Sequence, residues 1–79
     1  MNIKVLGTGC SKCKSLEVAT RAAVNESGID AEIEKIEDIV RIMEYGVMST
    51  PALVVDGKVV VSGRVPSVAE ISNILTQNQ

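Results

Sequence analysis

The stretch Ile3-Lys4-Val5-Leu6-Gly7-Thr8-Gly9-Cys10-Ser11-Lys12-Cys13 decides how the rest of the chain is read. Ile3, Val5 and Leu6 form a short apolar run that reads as a buried strand. Gly7 and Gly9 break it and allow a tight approach of the backbone. Two cysteines follow, three positions apart, where a helical pattern begins. They are the only cysteines in the chain, so they pair with each other or bind something together. A disulfide between them closes a very small loop. Cross-link stabilisation grows with loop length, so this bond would hold little of the fold together. A pair that adds little stability at a strand-to-helix turn is better explained as chemistry.

The surrounding composition narrows the classes. The chain has 79 residues, enough for one small domain spanning 1–79. Hydrophobic residues make up 46% and charged residues 23%, a soluble globular balance rather than a disordered one. There is no Phe or Trp and only one Tyr, so the core must be built from Val, Ile, Leu and Ala. A net charge of −2 argues against nucleic acid or an anionic membrane as partner. No apolar run is long enough to span a bilayer and no signal-peptide pattern is present. The cytoplasm is the expected location, where a disulfide is transient or catalytic. His is absent, which excludes Ser-His-Asp and Cys-His triads and any histidine metal site.

Outward from the cysteines, a first helix is expected from Cys10 or Ser11 to Ser27. Cys13, Leu16, Ala19, Ala23 and Val24 form its apolar stripe, with Lys14, Glu17, Arg21 and Asn25 facing water. Gly28 suits its C-terminal end. In the segment 29–36, Ala31 and Ile33 alternate with Glu32 and Glu34, a strand period whose acidic outer positions suit a sheet edge. Asp38 then reads as the N-cap of a short helix carrying Ile39, Val40, Ile42 and Met43, ended by Gly46. Met43 and Met48 are expected to fill core, and Tyr45 to pack. Ala52 to Val55 and Val59 to Val61, around Asp56-Gly57, form a β-hairpin. Ser67 and Glu70 form a capping box for a last helix with the stripe Val68, Ile71, Ile74 and Leu75. Thr76 to Gln79 are expected to fray. The order is β-α-β-α-β-β-α, an α/β fold with a parallel first pair and helices on both faces of the sheet.

The chemistry concentrates in two places. At a helix N-terminus, free N–H groups and the positive dipole end favour a thiolate, and Lys12 and Lys14 add positive charge. Cys10 is therefore the expected attacking thiol in disulfide exchange. Cys13 lies one turn further in, on the stripe with Leu16, and is expected to be less exposed and to resolve the mixed disulfide. Far along the chain, Thr50-Pro51 precedes the hairpin. Taken with the CxxC, it suggests a cis peptide that turns the Thr50 backbone outward to pair with an extended substrate segment. A lone CxxC is also a metal half-site. Zinc would want more ligands than the chain offers, but Cu(I) needs only two thiolates, so a soft-metal carrier stays open as an alternative.

With these residues placed, the chain resembles the thioredoxin-fold superfamily. It is most similar to the small, glutaredoxin-sized redox-active disulfide proteins of archaea and bacteria. The resemblance rests on Gly7 to Cys13, on Tyr45-Gly46-Val47-Met48-Ser49-Thr50-Pro51-Ala52, on Val55 to Lys58, and on Ser62-Gly63-Arg64-Val65-Pro66-Ser67. It implies a minimal thioredoxin fold with three helices and a four-stranded mixed sheet in the order 2-1-3-4. It implies a cis Pro51 against the Cys10–Cys13 pair and thiol–disulfide oxidoreductase activity with no bound cofactor or metal. Protein disulfides and a thioredoxin-reductase-like electron donor are the implied partners, and a monomer the implied state. Thr50 and Gly63 fall where glutaredoxins hold glutathione, whose use here is left open because Ser62 replaces one Gly of the family's pair. Ser11-Lys12 replaces the usual dipeptide between the cysteines and is expected to tune their pKa. Counting back from Cys10 places Lys4 where thioredoxins carry a buried acid. A non-catalytic binding domain using the Thr50-Pro51 edge is the third reading.

Overall fold

The computed structural model describes residues 1–78. The element order is β1 (Asn2–Leu6), α1 (Ser11–Ser27), β2 (Glu32–Ile36), α2 (Ile39–Glu44), β3 (Ala52–Val55), β4 (Lys58–Ser62) and α3 (Val68–Gln77), as the sequence patterns suggest. The strands form one sheet in the order β2-β1-β3-β4. β1 and β2 are parallel, in register from Asn2–Glu32 to Leu6–Ile36, with α1 as the crossover between them. β3 lies antiparallel to β1, from Ile3–Val55 to Leu6–Ala52. β4 turns back along β3, with a register shift between Leu53 and Val54.

All four residues of β3 are buried, because both faces of this central strand are covered. The edge strand β2 buries only Ile36 fully and sends Glu32 and Glu34 to solvent. The hairpin turn holds Asp56 at φ 49 and Gly57 at φ 83, the two positive values a two-residue type I′ turn requires. The Asp56 carboxylate also accepts the Asn2 N–H at 2.8 Å, tying the hairpin to β1.

Alternation along β1 divides the core. Ile3 and Val5 meet Leu16 and Ala23 of α1 and Ile71 and Leu75 of α3, with Leu53, Val55 and Val61 from the hairpin. Leu6 points the other way, to Ile36, Ala52, Val54 and Ile42 of α2. Burying each of these large aliphatic side chains contributes about 1.5–3 kcal/mol relative to leaving it exposed.

Several expectations are corrected. Thr20, which the expected stripe did not include, is fully buried on α1, its hydroxyl donating to the Leu16 carbonyl at 2.7 Å. Ala19 and Val24, placed on the stripe, are only partly buried. Glu17 does not face open water but is half-buried. Met43 and Met48 are not core fillers: they are 66% and 98% exposed. The six-residue α2 turns only Ile42 fully into the core, leaving Ile39, Val40 and Met43 outside, and Met48 sits in the exposed connection to β3. The Ser67–Glu70 box is half formed. Ser67 Oγ accepts the Glu70 N–H at 3.1 Å, but the Glu70 carboxylate turns to Arg64. Thr76 and Gln77 continue α3, and Asn78 caps it by donating from Nδ2 to the Ile74 carbonyl at 2.7 Å. Gln79, the last residue of the tail expected to fray, lies outside the described residues.

Candidate active site

Strand register gathers the site at one end of the sheet. The Gly7 N–H extends the β1–β2 ladder by donating to the Ile36 carbonyl at 3.0 Å. Leu6 is level with Ala52, so Gly7 and Pro51 leave the sheet side by side. Ala52 is level with Ser62, so Ser62-Gly63 leaves at the same end. The Gly7–Cys13, Ser49–Pro51 and Ser62–Gly63 segments therefore converge although they are far apart in the chain.

Cys10 and Cys13 form a disulfide with their Cα atoms 5.0 Å apart, inside the usual range for such a bond. Cys10 is the N-cap of α1, with φ −70 and ψ 168, and its Sγ accepts the Cys13 N–H at 3.2 Å. An N-cap sulfur in that position receives the free amide and the positive end of the helix dipole, both of which favour a thiolate. Cys10 is exposed, whereas Cys13 is 5% exposed. The two sulfurs thus occupy chemically different environments one turn apart.

Gly7 sets the depth of Cys13. A Cβ at Gly7 would collide with Cys13 Sγ and Cβ, so the bare backbone forms the wall against which this thiol rests. Across from it, Thr50-Pro51 is a cis peptide, with Thr50 exposed and Pro51 buried. The Gly63 N–H donates to the Pro51 carbonyl at 2.8 Å. Gly63 holds φ 79, and a Cβ there would lie 3.1 Å from Ser49 Cβ, so both conformation and space favour glycine.

The sequence matches the thioredoxin domain family over residues 1–76. The chain belongs to that family. It is 49% identical over 76 residues to a thioredoxin of Methanothermobacter thermautotrophicus, covering 96% of this chain and 99% of the relative. It is 44% identical over 73 residues to a thioredoxin of Methanocaldococcus jannaschii, covering 92% of this chain and 84% of that one. With the bonded CxxC pair, these relationships identify a small thiol–disulfide oxidoreductase. The match to the thioredoxin domain family favours this activity over the soft-metal carrier reading.

Charged residues stand on both faces of the sheet near this end. Ser11 and Lys12 are both exposed in the first turn of α1. Lys4 lies on the α2 face of the sheet, beside Glu34 at 3.2 Å. Its ammonium donates to the Glu34 carboxylate, and that hydrogen bond is the main reason its pKa is held above the ordinary value, with Tyr45 adding less. On the opposite, α1 face stands a group the sequence reading passed over. Lys35, level with Val5 on β2, reaches Glu17 at 3.5 Å. Arg21 grips the other Glu17 oxygen at 3.0 and 3.1 Å. The Arg21 hydrogen bond first, then the Lys35 charge, hold the Glu17 carboxyl below its usual range. Glu17 follows Cys13 by one helical turn, so its closeness to the thiol was readable from spacing. Its partner on β2 was not. Glu37 was also passed over: its carboxylate lies 3.2 Å from where a Gly9 Cβ would stand.

Proposed function

We propose that Cys10 attacks substrate disulfides and Cys13 resolves the product. The observation that carries this reading is the contrast between the two sulfurs: Cys10 exposed at the helix N-cap, Cys13 buried one turn behind it. In the reduced protein, the Cys10 thiolate attacks one sulfur of a substrate disulfide. A Cys10–substrate bond forms, the substrate S–S bond breaks, and the departing sulfur leaves as a thiolate that takes up a proton. Cys13 then loses its proton and attacks Cys10. The Cys10–Cys13 bond forms and the second substrate thiol is released. The substrate gains two electrons and the dithiol loses them.

The same reading makes Thr50, Pro51 and Gly63 the substrate-binding edge. Thr50 is exposed beside the site and offers its backbone to an extended segment of a protein substrate. Ser11 and Lys12 tune the attacking thiol, Lys12 through its positive charge in the first helical turn. A thioredoxin-reductase-like dithiol donor returns electrons to the pair. Glutathione is a weaker candidate, because Ser62 stands where a second glycine would be. We place the protein in the cytoplasm, as one domain over 1–79 working as a monomer, where reductants regenerate the dithiol.

Trapping tests the assignment. Cys13→Ser, mixed with a disulfide-bonded protein, should accumulate a mixed disulfide through Cys10, read by non-reducing gel and mass spectrometry. Cys10→Ser should form none and lose reductase activity. A Cys10→Ser variant that retains activity would reverse the roles.

A further inference from the structure

The reciprocal cap expected at the start of α3 is left incomplete. Ser67 Oγ accepts the Glu70 N–H, but the Glu70 carboxylate turns away from the cap. It takes the Arg64 guanidinium in a two-pronged contact, Nη1 to Oε1 at 3.1 Å and Nη2 to Oε2. The Arg64 and Glu70 side chains are 55% and 43% exposed, and an ion pair in water adds little to stability. Helix stability therefore does not explain why Glu70 leaves its own helix end. What the contact does hold is the turn on which Arg64 stands.

That turn, 62–67, runs from the end of β4 to the cap of α3. Its first half grips the Ser49–Pro51 segment. The Gly63 N–H donates to the Pro51 carbonyl at 2.8 Å, and Ser62 Oγ donates to the Ser49 carbonyl at 3.5 Å. Beyond Gly63 little else fixes the chain. Gly63, Arg64 and Val65 are exposed, and among the described residues the backbone of Arg64 and Val65 makes no hydrogen bond. Pro66 is buried and pins the far end. The Arg64 side chain is the polar tie between these points, and its planar fork fixes direction as well as distance. We propose that the Arg64–Glu70 pair holds the β4–α3 turn so that Gly63 keeps the Pro51 carbonyl, and with it the exposed Thr50 backbone, aligned for an extended substrate segment. The inference rests on reading Thr50, Pro51 and Gly63 as the substrate edge. Arg64 and Glu70 are positioning residues that act through Gly63. Both cysteines are held by α1, so loosening the turn weakens substrate binding and spares the chemistry.

The experiment pairs a local structural readout with kinetics in the reduced, full-length protein. Hydrogen exchange of the Gly63 amide, followed by NMR, reports its bond to Pro51. An extended peptide carrying its cysteine as a mixed disulfide with thionitrobenzoate reports the edge. Dithiobis(nitrobenzoate), which has no backbone to pair, reports Cys10 alone. Glu70→Gln and Arg64→Met should each speed Gly63 exchange and raise the half-saturating peptide concentration about fivefold. The maximal rate and the reaction with the small disulfide should stay at the parent values. A merely structural role would lower the active fraction without moving the half-saturating concentration. Exchanging the charges, Arg64→Glu with Glu70→Arg, should return both readouts toward the parent. Faster exchange and weaker peptide binding together, reversed by the exchange of charges, support the proposal. Unchanged Gly63 exchange overturns it and leaves the edge reading standing. Faster exchange with unchanged peptide saturation overturns the edge reading and the proposal with it.

Discussion

Gly7 and Cys13 meet more closely than any larger residue at position 7 permits: a Cβ on Gly7 would lie 2.8 Å from Cys13 Cβ, and nearer still to its Sγ. The approach joins the end of β1 to the first turn of α1 and fixes how deep the second sulfur sits. Gly7→Ala should therefore push Cys13 or the helix outward. Overpacking of this kind costs about 1–3 kcal/mol. Urea unfolding should show that loss, and mixed disulfide on Cys10 should persist longer in acid-quenched samples. An alanine variant equal to the parent in both would remove Gly7 from the site.

The cap of α3 makes a separate prediction. Ser67 accepts the Glu70 N–H at 3.1 Å, while the Glu70 side chain is engaged by Arg64 rather than returning to the cap. Ser67→Ala should cost about 1 kcal/mol. Glu70→Gln should cost less, because its ion pair with Arg64 lies in solvent. Urea midpoints of the two variants check the order.

Acid should weaken the fold through two carboxylates. Glu17, held down by Arg21 and Lys35, and Glu70, held down by Arg64, both ionise more readily folded than unfolded. Their contribution is present above the ordinary Glu value of about 4.3 and is lost as pH falls through the lower folded values. Lys4 runs the other way. Its raised pKa gives stability that is present below about 10.4 and lost as pH rises through the folded value. Urea midpoints measured across acid pH should fall, and Glu17→Gln should flatten that fall.

Much of this was legible in the chain because local chemistry and fold agreed. Asp56-Gly57 required a hairpin turn, Asp38 and Ser67 marked helix starts, and the two cysteines located the site. What was not legible depended on which elements become neighbours. Glu17 looked solvated on a helical wheel, but β2 lies beside β1 on the side that brings Lys35 to it. Met43 and Met48 looked apolar enough for the core, yet α2 is too short to bury more than Ile42, and its loop leaves Met48 outside. Thr20 looked polar, yet its hydroxyl is satisfied by its own helix and so can be buried.

The most direct test of the dithiol chemistry is an equilibrium titration of the Cys10–Cys13 pair against dithiothreitol and glutathione buffers, with metal content measured on the same samples. The expected result is one reversible two-electron transition between dithiol and disulfide, with no stoichiometric metal. A pair that does not cycle, or that holds copper or zinc tightly in its reduced state, would contradict it.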